Sequence, residues 1–157
     1  MKTLLATALA LGLATPALAA DAEETAILAQ VQRFFDGLGA QDAAAMEATL
    51  LPDAMLTAQR VQADGKSALS RRSGAAFVEM TKSQAGLSER MWDPKVMRRG
   101  PIAMVWAPYE FQLAGKTTHC GIDVFDMVKV DGTWKIAHLM WTQEPQGCEE
   151  LKASRPR

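Results

Sequence analysis

The chain has 157 residues, 48% of them hydrophobic and 22% charged, with a formal net charge of −1 at pH 7. That length suits one domain with a real core, and the near-neutral balance excludes the basic footprint that nucleic acid or an anionic membrane surface requires. No segment is low in complexity, so a disordered linker is excluded as well.

The first nineteen residues read as a leader rather than as part of the fold. Lys2 gives a short positive start, Leu4 to Leu13 is an apolar run, and Pro16 breaks it. Ala17-Leu18-Ala19 then supplies the small-residue cleavage pattern of a signal peptide. The run is too short for a membrane anchor. Cleavage near Ala19 predicts a periplasmic or secreted protein, with a domain over residues 21–148 and a flexible polar tail over 149–157. Without the leader 138 residues remain, and the loss of Lys2 moves the charge to −2.

In chain order, Thr25 to Leu38 predicts a helix, because Ile27, Leu28, Val31, Phe34, Phe35 and Leu38 recur at three- and four-residue steps. Asp42 is positioned to cap a second helix running to about Leu50. Residues 54–59 form a weak candidate strand and 61–66 a loop with Gly65 at its turn. Ser73 caps a third helix that runs to Gln84, with Phe77, Val78 and Met80 as its apolar contacts. After Gly86 the pattern changes to strands. Leu87–Val96 is broken at Pro94, Ile102–Leu113 follows, Ala114-Gly115 turns into Thr117–Val130, and Asp131-Gly132 turns into Thr133–Gln143. Asp-Gly between two apolar alternations is a strong hairpin signal. Helices followed by an antiparallel meander give an α+β domain with the helices on one face of the sheet.

The segments "VQRFFDGLGAQDAAAMEATLLPDAML" and "ERMWDPKV…IAMVWAPYEFQLAGK…HCGIDVFDMVKVDGTWKIAHLMW" resemble, respectively, the opening and the closing strands of nuclear transport factor 2-like domains. The chain is similar in particular to small exported members of the SnoaL-like or putative lumazine-binding type. The resemblance covers residues 25–143 and implies a cone: a curved antiparallel sheet closed by three helices around a pocket. Ketosteroid isomerases of that superfamily use a tyrosine in the first helix, where this chain has Phe34 and Phe35. Its only tyrosine, Tyr109, lies on a strand.

The stretch "TTHCGIDVF" (117–125) brings a His, a Cys and an Asp together. On a regular strand His119, Asp123 and Phe125 share one face, whereas Cys120, Ile122 and Val124 share the other. His119 and Asp123 lie about 13 Å apart along such a strand, beyond hydrogen-bond reach of each other. Partners must then come from neighbouring strands. If both two-residue turns set the register throughout, Glu110 lies opposite His119, Trp106 opposite Asp123 and His138 opposite Phe125. One face then gathers Trp106, Glu110, His119, Asp123, Phe125 and His138, and the other Val105, Ala107, Tyr109, Cys120, Ile122, Val124, Leu139 and Trp141. A one-residue slip exchanges the faces, and Gly121 is a place where a bulge is possible. The mixed face lines a pocket or faces solvent. Tyr109 is carried with Trp106, Glu110, His119, Asp123 and His138 as a ligand-binding candidate.

Cys120 and Cys148 form an even pair, which an oxidising compartment allows to bridge; two separate thiols are the alternative. Two Cys and two His at irregular spacing make no zinc site, so neither metal nor cofactor is expected. Arg71-Arg72 and Arg98-Arg99 read as solvated surface charges. Three functions fit: a binding or accessory module for a small apolar or aromatic molecule, a cyclase-, isomerase- or dehydratase-like enzyme, and a dimerisation module. The enzyme would use His119 or Asp123 as acid/base with Glu110 orienting. A homodimer is expected.

Overall fold

A computed structural model describes residues 16–155, so most of the expected leader lies outside the described residues. The helices are α1 (Pro16–Ala40), α2 (Ala43–Thr49), α3 (Gly74–Thr81) and α4 (Cys148–Ala153). The strands are β1 (Leu50–Val61), β2 (Ser67–Ser73), β3 (Leu87–Met91), β4 (Lys95–Arg99), β5 (Ile102–Leu113), β6 (Lys116–Val130) and β7 (Thr133–Gln143). Among the described residues no helix is long and apolar enough to cross a membrane.

The apolar stripe of α1 does what its spacing predicts: Ile27, Val31, Phe34, Phe35 and Leu38 are all buried. Asp42 caps α2 by accepting from the Ala45 N–H at 3.0 Å, and Ser73 caps α3 by accepting from Ala76 at 3.2 Å. A Cβ at Gly37 would stand 2.8 Å from Met46 Cγ, so the glycine lets α1 and α2 pack closely. Phe125 on the sheet meets Phe34 and Phe35 edge-on, with centroids 6.4 and 5.7 Å apart. Aromatic contacts of this kind tie α1 to the sheet.

Seven strands form one open sheet in the order β2-β1-β7-β6-β5-β3, with β4 also on β5. The α+β class is as expected, but the sheet is mixed rather than antiparallel. β1 runs parallel to β7, pairing Leu56 with Leu139 and Ala58 with Trp141. No hairpin connects these two strands, so the turn signals that order β5, β6 and β7 are silent about them. β2 is an unexpected strand. It is an edge whose residues are almost all exposed, so no apolar alternation marks it. The expected break at Pro94 splits one strand into β3 and β4, with Asp93 at φ +45° between them.

Two register shifts fix which side chains face the helices. Beside the Ala114-Gly115 turn, β5 and β6 pair Leu113 with Lys116 as the turn predicts. Beyond Gln112–Thr117 a bulge at Thr118 shifts the register by one, so Phe111 faces His119, Glu110 faces Cys120 and Ala107 faces Asp123. Likewise Val130 faces Thr133 at the Asp131-Gly132 turn, but a bulge at Ala137 then sets Asp126 opposite His138 and Asp123 opposite Trp141. The uniform register expected from the turns is therefore corrected twice, and the bulges do not fall at Gly121. That glycine serves a close approach instead: a Cβ there would lie 2.1 Å from the Thr142 carbonyl and 2.8 Å from the Tyr109 ring. Each bulge also bends its strand and helps curve the sheet.

The C-terminal segment, expected as a polar tail, carries the short helix α4. The Cys120–Cys148 disulfide ties its first residue to β6, with Cα atoms 5.0 Å apart. Lys152 and Arg155 pair with Glu110 from beyond it, and Arg155 lies 4.2 Å over the Trp92 ring.

Candidate functional site

Between the inner sheet face and helices α1 and α3 lies a cavity of about 440 Å³. Its closed end is built by Phe34, Tyr109 and Asp123, each only 1% exposed, with Leu38 and Leu139 beside them. Its mouth is lined by exposed Arg60, Ser70, Met80, Gln84 and Thr118, with half-buried Arg72. Phe77 from α3 and Trp141 from β7 form an aromatic wall, edge to face at 6.0 Å. A depression of similar size between α1 and α2 is an open surface groove with no buried titratable group.

The bulges decide which candidates meet. His119, Asp123 and Tyr109 all point into the cavity, because the shifted register puts odd-numbered residues of β5 and β6 on the inner face. Trp106, Glu110 and His138 are on the outer face, contrary to the uniform-register expectation. Trp106 is 47% exposed. The His138 Nε2 sits 3.0 Å from the Thr57 hydroxyl, and its Nδ1 lies 3.5 Å from Asp126. Glu110 cannot orient His119, since the sheet stands between them.

The inner partner of Asp123 is Glu89, which sequence reasoning missed. In β3 the residues Leu87, Glu89 and Met91 alternate inward while Arg90 turns outward to Glu110. An acid between Leu and Met at two-residue spacing was the available signal. The Glu89 and Asp123 carboxyls are hydrogen-bonded to each other inside the cavity. Among the described residues no N–H or hydroxyl donor reaches Asp123, and one of its oxygens has no other partner. Two carboxyls can share a hydrogen bond only if one of them keeps a proton. Burial pushes Glu89 up to about 7, only partly offset by the bond from Asp123. Burial, followed by the Glu89 charge and that same bond, holds Asp123 well above the usual carboxylate range. The pair therefore titrates as a unit, with one proton retained through neutrality.

His119 stacks on Phe111 at 4.9 Å and meets Tyr109 edge-on at 5.8 Å. Its Nδ1 is 2.8 Å from the hydroxyl of Thr118, the bulge residue. Burial and then the nearby Arg60 charge lower its pKa to about 4, so the imidazole is neutral under ordinary conditions. Tyr109 donates its hydroxyl proton to the Thr142 carbonyl at 2.6 Å, and burial keeps the phenol protonated. That proton is committed to the backbone rather than to a ligand. The cavity thus offers an acid–carboxylate pair at depth, a neutral imidazole on its side and two guanidiniums at its mouth. Among the described residues no group of three or more His, Cys, Asp or Glu side chains is placed to hold a metal ion.

The chain matches the model of a family described as putative lumazine-binding over residues 22–142. No curated protein matches it in sequence. Among solved structures it is similar to a Mycobacterium tuberculosis protein of unknown function, at 17% identity and TM-score 0.68, over 83% of this chain and 76% of that one. It is also similar to a nuclear transport factor 2-like protein with a cystatin-like fold from Novosphingobium aromaticivorans, at 12% identity and TM-score 0.66, over 87% and 91%. A third, from Silicibacter pomeroyi, is nuclear transport factor 2-like and of unknown function, at 21% identity and TM-score 0.60, over 78% and 96%. At these identities the structural likeness establishes the fold alone.

Proposed function

The chain belongs to the putative lumazine-binding family, within the nuclear transport factor 2-like superfamily, and from that premise we propose that it binds a small planar molecule in the 440 Å³ cavity. The observation that carries this reading is Asp123, 1% exposed beside half-buried Glu89, with one carboxyl oxygen that has no other hydrogen-bond partner among the described residues. Burying two carboxyls without further donors costs stability, and a ligand edge with matching donors and acceptors would satisfy them. Leu38, Phe77, Leu139 and Trp141 supply the apolar walls that small-molecule sites use. Lumazine, a planar bicyclic dione named in the family's description, is the first compound to test. Calorimetric titration should show one saturable site per chain. Ala58→Phe, which fills the cavity, should abolish it without changing the circular dichroism spectrum. Binding that survives this substitution would place the ligand elsewhere.

The acid pair also favours a second reading, an acid–base enzyme of the cyclase, isomerase or dehydratase kind. A proton-bearing carboxyl beside an ionised one is an acid next to a base at neutral pH. In this version Glu89, not Glu110, partners Asp123.

We further propose export and a homodimer. The leader composition and the Cys120–Cys148 disulfide support the first. The exposed apolar residues Met97, Trp106 and Met140 on the outer sheet face support the second, and light scattering at two concentrations tests it.

A further inference from the structure

We infer that the cavity takes an amphiphilic anion: a planar carbonyl or hydroxyl compound whose hydrogen-bonding end meets Glu89 and Asp123, and whose carboxylate or phosphate end meets Arg60 and Arg72. This rests on the reading of the cavity as a ligand site and adds the polarity of its occupant. Exposure gives the cavity a direction, from Asp123 at 1% in the closed end to Met80 at 43% in the mouth. The two guanidiniums stand at the open end. β1 and β2 put them there, because Leu56, Ala58 and Arg60 face inward and pair with Arg72, Ser70 and Ala68.

What sets these two arginines apart is their place, since they are the arginines that line the cavity. Arg90, Lys129, Lys152 and Arg155 each pair with a carboxylate. Among the described residues Arg60 and Arg72 have no acidic partner; Arg72 Nη1 lies 2.7 Å from the Met80 sulfur. The Arg60 charge is also felt by His119 across the cavity wall. Whole-protein charge is slightly negative, so the positive mouth is a local feature.

The placement of lining charge, guanidiniums at the mouth and carboxyls at depth, disfavours the opposite ligand. Arg60 and Arg72 contribute two positive charges, and the acid pair, keeping one proton, contributes at most one negative charge. A cationic amine would have to pass two guanidiniums to reach the carboxyls. An anion is drawn to the mouth, where planar guanidinium forks match carboxylate and phosphate oxygens. The same ion could not sit at depth, because the Glu89–Asp123 end would repel it. The cavity therefore sets ligand orientation as well as charge.

The test uses two probes with one ring system, 6-hydroxy-2-naphthoate and 2-naphthol, titrated calorimetrically into the wild-type chain and into R60Q/R72Q. The naphthoate should bind about tenfold more tightly than the naphthol. That margin should shrink as salt rises and disappear in R60Q/R72Q, whereas naphthol affinity stays constant. Equal affinities in the wild-type chain, or a preference that survives R60Q/R72Q, would overturn the anionic end while leaving the cavity as a binding site. If neither probe binds, the cavity reading fails and this inference fails with it.

Discussion

Two acidic clusters occupy opposite faces of the same strands and have opposite fates. On the inner face Glu89 and Asp123 are, among the described residues, each other's hydrogen-bond partners, and desolvation raises both carboxyls so that the pair keeps a proton into the neutral range. On the outer face Glu110 is nearly as enclosed as Asp123, at 4% exposure, yet Arg90, Lys152 and Arg155 surround it. Burial by itself would raise Glu110, but hydrogen bonds from Lys152, Thr117, Arg155 and Gln112 outweigh it and keep the carboxyl well below its usual range. Depth does not decide the charge of a buried acid; its partners do. The ionised cluster staples the C-terminal helix to the sheet. The protonated one leaves hydrogen-bonding capacity open toward a cavity.

The largest expected effect comes from releasing the outer staple. Cys148→Ser opens a 28-residue loop and should lower stability by about 3 kcal/mol in urea denaturation. Glu110→Gln comes next, at about 2 kcal/mol, because it strands Lys152 and Arg155 against a neutral amide and their partial exposure softens the loss. The wild-type contribution of Glu110 is complete above the ordinary carboxylate pKa and is lost as the pH falls toward its depressed folded value. Denaturation midpoints should therefore drop on the acid side in the wild type and stay flatter in Glu110→Gln.

Glu89→Gln should act in the opposite direction. A carboxyl raised on folding binds more protons in the native state, so the wild type loses stability as pH rises from the ordinary carboxylate range to about 7. The amide cannot ionise. The variant should gain on the order of 1–2 kcal/mol at pH 8 and nothing at pH 4, in the same denaturation series. A gain at pH 4 equal to that at pH 8 would show that the effect is packing rather than proton linkage. The smallest effect concerns His119. Its imidazole should stay neutral to about pH 4 by nitrogen NMR, and Arg60→Gln should raise the midpoint by about half a pH unit.

Much of this architecture was legible in the sequence. The periodicity of α1, the caps at Asp42 and Ser73, and the turns at Ala114-Gly115 and Asp131-Gly132 all produced the elements they signalled. The faces were not legible. A turn fixes register only where it sits, and the bulges at Thr118 and Ala137 carry no Gly or Pro to mark them. Each moved one residue and thereby moved Glu110, Trp106 and His138 out of the site. Arg72 was misread as surface charge for a similar reason, since β2 has no alternation to reveal its inner side. Glu89 was not legible as a site residue because the register that brings β3 to Asp123 across β5 carries no turn signal of its own.

The central claim is that Glu89 and Asp123 share a proton at neutral pH. Side-chain carboxyl carbon NMR, followed from pH 3 to 9 in the wild-type chain with Glu89→Gln and Asp123→Asn for assignment, measures it directly. We expect the two carboxyl signals to titrate as one coupled system shifted upward, with a step near pH 7. Two independent midpoints near pH 4, where isolated carboxyls ionise, would contradict the account.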